Sequence, residues 1–85
     1  MAWSVELTDR ALRDVGKLDR LVAKRVVAKL ERAAQQPERF FSRVVGSDDY
    51  KLRIGDYRLF ATLSHETKTI VVARVDHRSR IYDRG

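Results

Sequence analysis

Between residues 50 and 63 the sequence alternates with period two about a single dipeptide, Gly55-Asp56. Tyr50, Leu52, Ile54, Tyr57, Leu59, Ala61 and Leu63 form one set; Lys51, Arg53, Arg58, Phe60 and Thr62 form the other. Period two is the signature of a half-buried strand. A two-residue Gly-X connection between such runs predicts a hairpin with a type II′ turn, whose first central position requires φ > 0 and so favours glycine. The short loop also fixes the register: Ile54 pairs with Tyr57, Arg53 with Arg58, Leu52 with Leu59 and Lys51 with Phe60. Because side chains alternate across a strand, Lys51, Arg53, Arg58 and Phe60 share one face. The apolar set must then lie against the rest of the protein.

The remaining elements follow from their own periods. Trp3-Ser4-Val5-Glu6-Leu7 alternates as a strand. Thr8 supplies an N-cap and Asp9 a first-turn acid, so a helix is predicted over about Asp9–Leu18 with Ala11, Leu12, Val15 and Leu18 apolar. Gly16 costs that helix about 1 kcal/mol relative to alanine. Asp19 caps a second helix with Val22, Val26, Leu30 and Ala33-Ala34 as its apolar stripe. Lys24, Arg25, Lys29 and Arg32 occupy its other side and read as a solvated face. Pro37 is expected to end this helix, and Phe40 and Phe41 to pack beneath the link to the sheet. After the turn at Ser64–Lys68, the β-branched run Thr69–Val75 reads as a central strand covered on both sides. The expected order is β-α-α-β-β-β: one α+β domain over 1–85, a small twisted antiparallel sheet backed by an α-helical hairpin.

Composition narrows the chemistry. Eighteen Lys+Arg against twelve Asp+Glu gives a net charge of +6, which suits a polyanion or an acidic protein as partner. Cysteine is absent and His65 and His77 are the two imidazoles, so thiolate chemistry and metal-ligand spacings are missing and no metal or other cofactor is expected. No apolar run approaches a membrane span and no leader pattern opens the chain, so a cytoplasmic protein without a membrane partner is expected.

Like charges directly opposite on a sheet destabilise it, yet Arg53 faces Arg58 with Lys51 on the same face. A bound polyanion reverses the sign of that term. A second cationic cluster follows the last strand: Arg74-Val75-Asp76-His77-Arg78-Ser79-Arg80-Ile81-Tyr82. Cutting RNA without a metal requires deprotonation of the 2′-OH, neutralisation of the adjacent phosphate and protonation of the 5′-oxygen. Arginine neutralises well and is a poor base; Lys51, His77 and Tyr82 are the candidate bases. Phe60 and Tyr82 are candidates to stack an unpaired nucleobase.

The segments Tyr50–Leu59 and Arg74–Tyr82 resemble the "YxLRxGDYR" hairpin and "RVxHRxxxY" ending of the RelE/ParE superfamily of toxins, in the right order and after a helical hairpin. The resemblance covers nearly the whole chain and implies a small twisted sheet backed by an α-hairpin. Its RelE branch cuts messenger RNA in the ribosomal A site and is silenced by a cognate antitoxin. By position, the resemblance implies catalytic roles for Lys51, for Arg58 at the phosphate, for Arg78 at the leaving group and for Tyr82 at the 2′-OH or a base. It matches Arg53 with Lys51 as paired basic residues; beside it, the stacking argument and the cationic cluster make Phe60, Arg74, His77 and Arg80, with Arg53, RNA-binding candidates. Arg53 stands where the best-known members carry lysine, and Phe60-Ala61 replaces their aliphatic-tyrosine pair. The implied function is a type II toxin acting as a metal-free, ribosome-dependent mRNA endonuclease. Its partners would be the ribosome, mRNA and an antitoxin, the last in a toxin–antitoxin hetero-oligomer. The rival readings are a ParE-like DNA gyrase inhibitor of the same fold and a non-catalytic nucleic-acid-binding domain.

Overall fold

The hairpin forms in the register that its turn dictates. In the computed structural model, which describes residues 2–77, β3 (Tyr50–Ile54) and β4 (Tyr57–Ser64) pair antiparallel with Ile54 opposite Tyr57, Arg53 opposite Arg58, Leu52 opposite Leu59 and Lys51 opposite Phe60. Gly55 turns the chain at φ +57°. A Cβ placed there meets no atom within 4 Å, so the demand for glycine is purely conformational. Gly55→Ala should therefore cost about 1 kcal/mol, the penalty of a left-handed L-residue. A shift of the urea midpoint with unchanged slope is the expected readout, and an unshifted midpoint would show that the turn relaxes freely.

Around this hairpin the elements are β1 (Ser4–Leu7), α1 (Asp9–Gly16), α2 (Arg20–Ala33), α3 (Pro37–Phe40), β2 (Ser42–Arg43) and β5 (Thr69–His77). The sheet order is β1-β5-β4-β3-β2. The sequence order β-α-α-β-β-β is thus kept, with two short insertions. Pro37 does not merely close the second helix; it opens α3, where its missing N–H costs nothing at the first turn. Ser42 and Arg43 then pair with Lys51 and Tyr50. One strand pair also departs from an all-antiparallel sheet, because β1 runs parallel to β5. No hairpin joins those two strands, so nothing local sets their relative direction; the helices between them do.

The apolar stripes meet on one face of the sheet. Thr8 caps α1 by accepting from Ala11 N–H at 3.1 Å, and Asp19 caps α2 by accepting from Leu21 N–H at 3.2 Å. Ala11, Val26, Leu30, Ala33 and Ala34 from the helical layer, with Phe41, pack on Leu52, Ile54, Leu59, Ala61, Ile70, Val72 and Val75. Leu12 departs from its expected place and lies 57% exposed. Residues one apart on a helix point about 100° apart, and Ala11 takes the inward position. α1 also stops at Gly16, two residues short of the predicted end.

A bulge in β5 decides which residues reach the other face. Phe60 pairs with Arg74 but Ala61 pairs with Val72, which leaves Ala73 as the extra residue. The insertion changes the parity of the strand. Ile70 and Val72 face the helices, and so does Val75, three positions on. Arg74 and Asp76 are thereby delivered to the face away from the helices. The predicted coverage of β5 on both sides is incomplete, since Thr69, Val71 and Ala73 are half-buried.

The outer edge of β5 is covered in two parts. β1 pairs with Thr69–Val72. Beyond it, α1 takes over: Thr8 N–H donates to Val72 O at 3.0 Å, Thr8 Oγ1–H to Ala73 O at 2.8 Å, and Val75 N–H to Asp14 Oδ2 at 3.0 Å. An exposed strand edge is thus closed by side chains of the helix it adjoins. No helix among the described residues is long and apolar enough to cross a membrane.

Candidate nucleic-acid interface

Register places the candidate residues in two rows across β3, β4 and β5, on the face away from the helices. One row is Lys51, Phe60, Arg74; the next is Arg53, Arg58, Asp76. Adjacent strands lie about 4.8 Å apart, so each row spans roughly 10 Å. The rows differ in charge from end to end.

At the β5 end the cations are compensated. The Arg74 guanidinium lies 4.2 Å from the centroid of the Phe60 ring, a cation–π stack, and its Nη1 also donates to Asp76 Oδ2. Arg10 Nη2 approaches Asp76 Oδ1 at 3.9 Å, and Arg10 Nε lies 3.8 Å from Asp14 Oδ2. Asp76, at 5% exposure the buried charged group among the described residues, is therefore held by Arg74 and Arg10, with Arg58 opposite it in register. A buried carboxylate persists only when paired in this way.

At the β3 end they are not. β2 pairs with only Tyr50 and Lys51, which leaves the outer edge of β3 uncovered from Leu52 onward. The helical layer meets the sheet there around an open concavity of about 390 Å³, lined by Lys29, Arg39, Phe40, Ser42, Lys51, Leu52, Arg53 and Arg58. Among the described residues that lining holds five cations and no carboxylate. Among the described residues no ion pair engages Lys29, Arg39, Lys51 or Arg53. Such a field is complementary to a polyanion.

Two of these residues are not marked by the sequence pattern. Lys29 falls on the expected solvated face of α2, yet it is half-buried. It sits three residues after Val26 and immediately before Leu30, at the border of the apolar stripe, and that border position was the available signal. Arg39 lies in α3, whose existence the proline obscured.

The structure does not bring every candidate together. His77 pairs in register with Tyr57, one pleat away from Arg58 and Asp76, and the two rings meet edge to face at 4.8 Å between centroids. Arg78, Arg80 and Tyr82 lie outside the described residues. No group of three or more His, Asp or Glu side chains is placed to hold a metal ion among the described residues.

A twisted sheet with helices on one face and a basic concavity at its edge defines a small, basic α+β domain. The chain belongs to the family described as ParE toxin of the type II toxin–antitoxin system, parDE, within the RelE/ParE superfamily; the match runs over residues 5–82. It is a type II toxin of that superfamily. Toxin RelG of Mycobacterium tuberculosis is 34% identical over 99% of this chain and 100% of its own length. The solved toxin–antitoxin complex RelBE2 of the same organism contains a chain that superposes with TM-score 0.86 at 29% identity, covering 93% of this chain and 94% of that one. A chain of the intact Escherichia coli RelBE complex superposes with TM-score 0.76 at 28% identity, covering 89% and 96%.

Proposed function

We propose that this toxin is an endoribonuclease that cuts messenger RNA on the ribosome, without a metal ion, and is silenced by an acidic antitoxin bound to it. The observation that carries this reading is the concavity in which Lys51, Arg53 and Arg58 converge with no carboxylate among the described residues of its lining. In the reaction the 2′-oxygen forms a bond to the adjacent phosphorus as the bond from phosphorus to the 5′-oxygen breaks. The 2′ proton passes to a base and the 5′-oxygen takes up a proton as it leaves. The products are a 2′,3′-cyclic phosphate and a 5′-hydroxyl end.

Arg58 is positioned to neutralise charge developing on the phosphate, with Arg53 beside it binding the backbone. Lys51, a row away in the same concavity, is the described residue suited to take the proton; Tyr82 is the alternative base, and Arg78 is assigned to the leaving oxygen. The Arg74–Phe60 stack offers a guanidinium plane for a nucleobase, with His77, the last residue of β5, and Arg80 as further RNA contacts. A site built from cations with no imidazole in the concavity is a weak catalyst until its substrate is held in line, which is what the ribosome supplies. The charge of +6 suits an acidic antitoxin, and a ribosomal target makes the protein cytoplasmic.

The similar proteins bearing RelE and RelG names support this reading, whereas the family description carries the ParE name, the branch for which the resemblance implies gyrase as the target. One experiment separates the two. Purified toxin is incubated with programmed ribosomes, with free message and with gyrase, and RNA ends and supercoiling are measured. Ribosome-bound message should be cut to cyclic-phosphate ends, free RNA should be cut poorly, and supercoiling should proceed. Blocked supercoiling with intact RNA would transfer the protein to the gyrase-directed mode.

A further inference from the structure

The concavity holds more positive charge than one phosphate can balance. A phosphodiester carries a single negative charge, whereas the site is lined by Arg58, which lies opposite Asp76 in register, and by Lys29, Arg39, Lys51 and Arg53, which no ion pair engages among the described residues. They come from two layers of the fold: Lys51, Arg53 and Arg58 from β3 and β4, Lys29 and Arg39 from α2 and α3. We propose that Lys29 and Arg39 form a second phosphate subsite, which grips the RNA backbone one nucleotide away from the phosphate at Arg58. The proposal rests on the reading of this concavity as an RNA site and adds a substrate length to it.

Three observations support the assignment. Lys29 is half-buried at the concavity wall, while Lys24 and Arg25 on the same helix are exposed; a lysine whose stem packs while no ion pair engages it among the described residues is a preplaced cation for an anionic ligand. The nearest acid in sequence, Glu38, does not compensate Arg39, because its Oε1 lies 3.6 Å from His65 Nε2 instead. Phe40 and Leu52 contribute apolar surface to the same lining, which lowers the local dielectric and strengthens each charge-assisted contact.

The test uses RNA that cannot be cut. Binding of 2′-O-methyl di- and trinucleotides, with one and two internucleotide phosphates, is titrated against salt at low ionic strength. The proteins are wild type, Lys29→Gln/Arg39→Gln and Arg39→Lys. For wild type, the trinucleotide should bind roughly tenfold more tightly than the dinucleotide, the scale of one charge-assisted contact. Its log K should fall more steeply with log salt by about 0.7, the increment for one further phosphate on a single strand. The double variant should lose both increments and keep the dinucleotide affinity, while Arg39→Lys retains the steeper slope. Each single glutamine variant, checked by its melting curve, should lose part of the increment if the double variant fails to fold. Undiminished increments in the variants overturn the proposal, as does wild type that binds neither oligonucleotide. Oligoglutamate is titrated against the same proteins, and a loss of affinity in the variants confined to it also overturns the proposal, because it assigns these cations to a protein partner. Wild type that shows the increments but never cuts message keeps the subsite and removes the nuclease reading; a protein that cuts without them does the reverse.

Discussion

Arg58→Ala is expected to lower cleavage of ribosome-bound message by about 10²–10³ and to abolish growth arrest, while the protein stays folded. That is the usual loss on removing one preorganised donor from a developing oxyanion. The stability side of the expectation depends on both neighbours of Arg58. The hairpin alone sets Arg58 against Arg53, and relief of that repulsion favours the variant. The structure adds Asp76 on the opposite side, so the lost cation also removes a favourable charge from a buried carboxylate. Asp76 keeps Arg74 and Arg10, so the two effects should leave stability within about 1 kcal/mol of wild type. Melting curves run beside the cleavage and growth assays decide it. A folded variant that remains fully toxic would move the phosphate site elsewhere, and an unfolded one would make Arg58 a structural residue.

How much of this was legible in the sequence depends on how local the determining interaction is. The register of β3 and β4 was readable residue by residue, since a two-residue loop leaves no freedom in pairing and the period marks the buried face. The caps at Thr8 and Asp19 were readable because a capping side chain reaches only two or three residues ahead. The direction of β1 was not, because a parallel pair separated by helices has no local determinant. Neither was the parity change at Ala73: an unbroken β-branched run hides a bulge, and the bulge is what delivers Arg74 and Asp76 to the functional face. The concavity was half legible. Its sheet wall follows from alternation within the hairpin. Its helical wall, with Lys29 and Arg39, exists because β2 ends after two residues and lets the layers meet at the open edge of β3. No periodicity within one element encodes a meeting of two.

Leu59→Ala is expected to give the opposite phenotype from its neighbour. Leu59 is 1% exposed at the middle of β4, with Leu52 and Val75 as its cross-strand partners. Its side chain borders an apolar cavity of about 230 Å³ that Val26, Leu30 and Val72 also line. Truncating a buried leucine costs about 2–5 kcal/mol, more when the surroundings cannot close in. Here β3 and β5 are fixed on either side by the ladder, and the truncation widens a cleft already present beside Leu59, which places the cost at about 3–4 kcal/mol. A domain of 85 residues has roughly 4–13 kcal/mol to lose, so Tm should fall by roughly 12–30 °C. Yet Arg58 and Phe60, which flank Leu59, point to the other face and are placed by backbone pairing that the truncation leaves intact. At low temperature, cleavage per folded molecule should therefore stay within about threefold of wild type, the change in rate that less than 1 kcal/mol of barrier produces. Circular dichroism fixes the folded fraction and single-turnover cleavage the rate. If Leu59→Ala slowed the folded protein as much as Arg58→Ala, the two faces of β4 would not be separable into one that holds the fold and one that meets RNA.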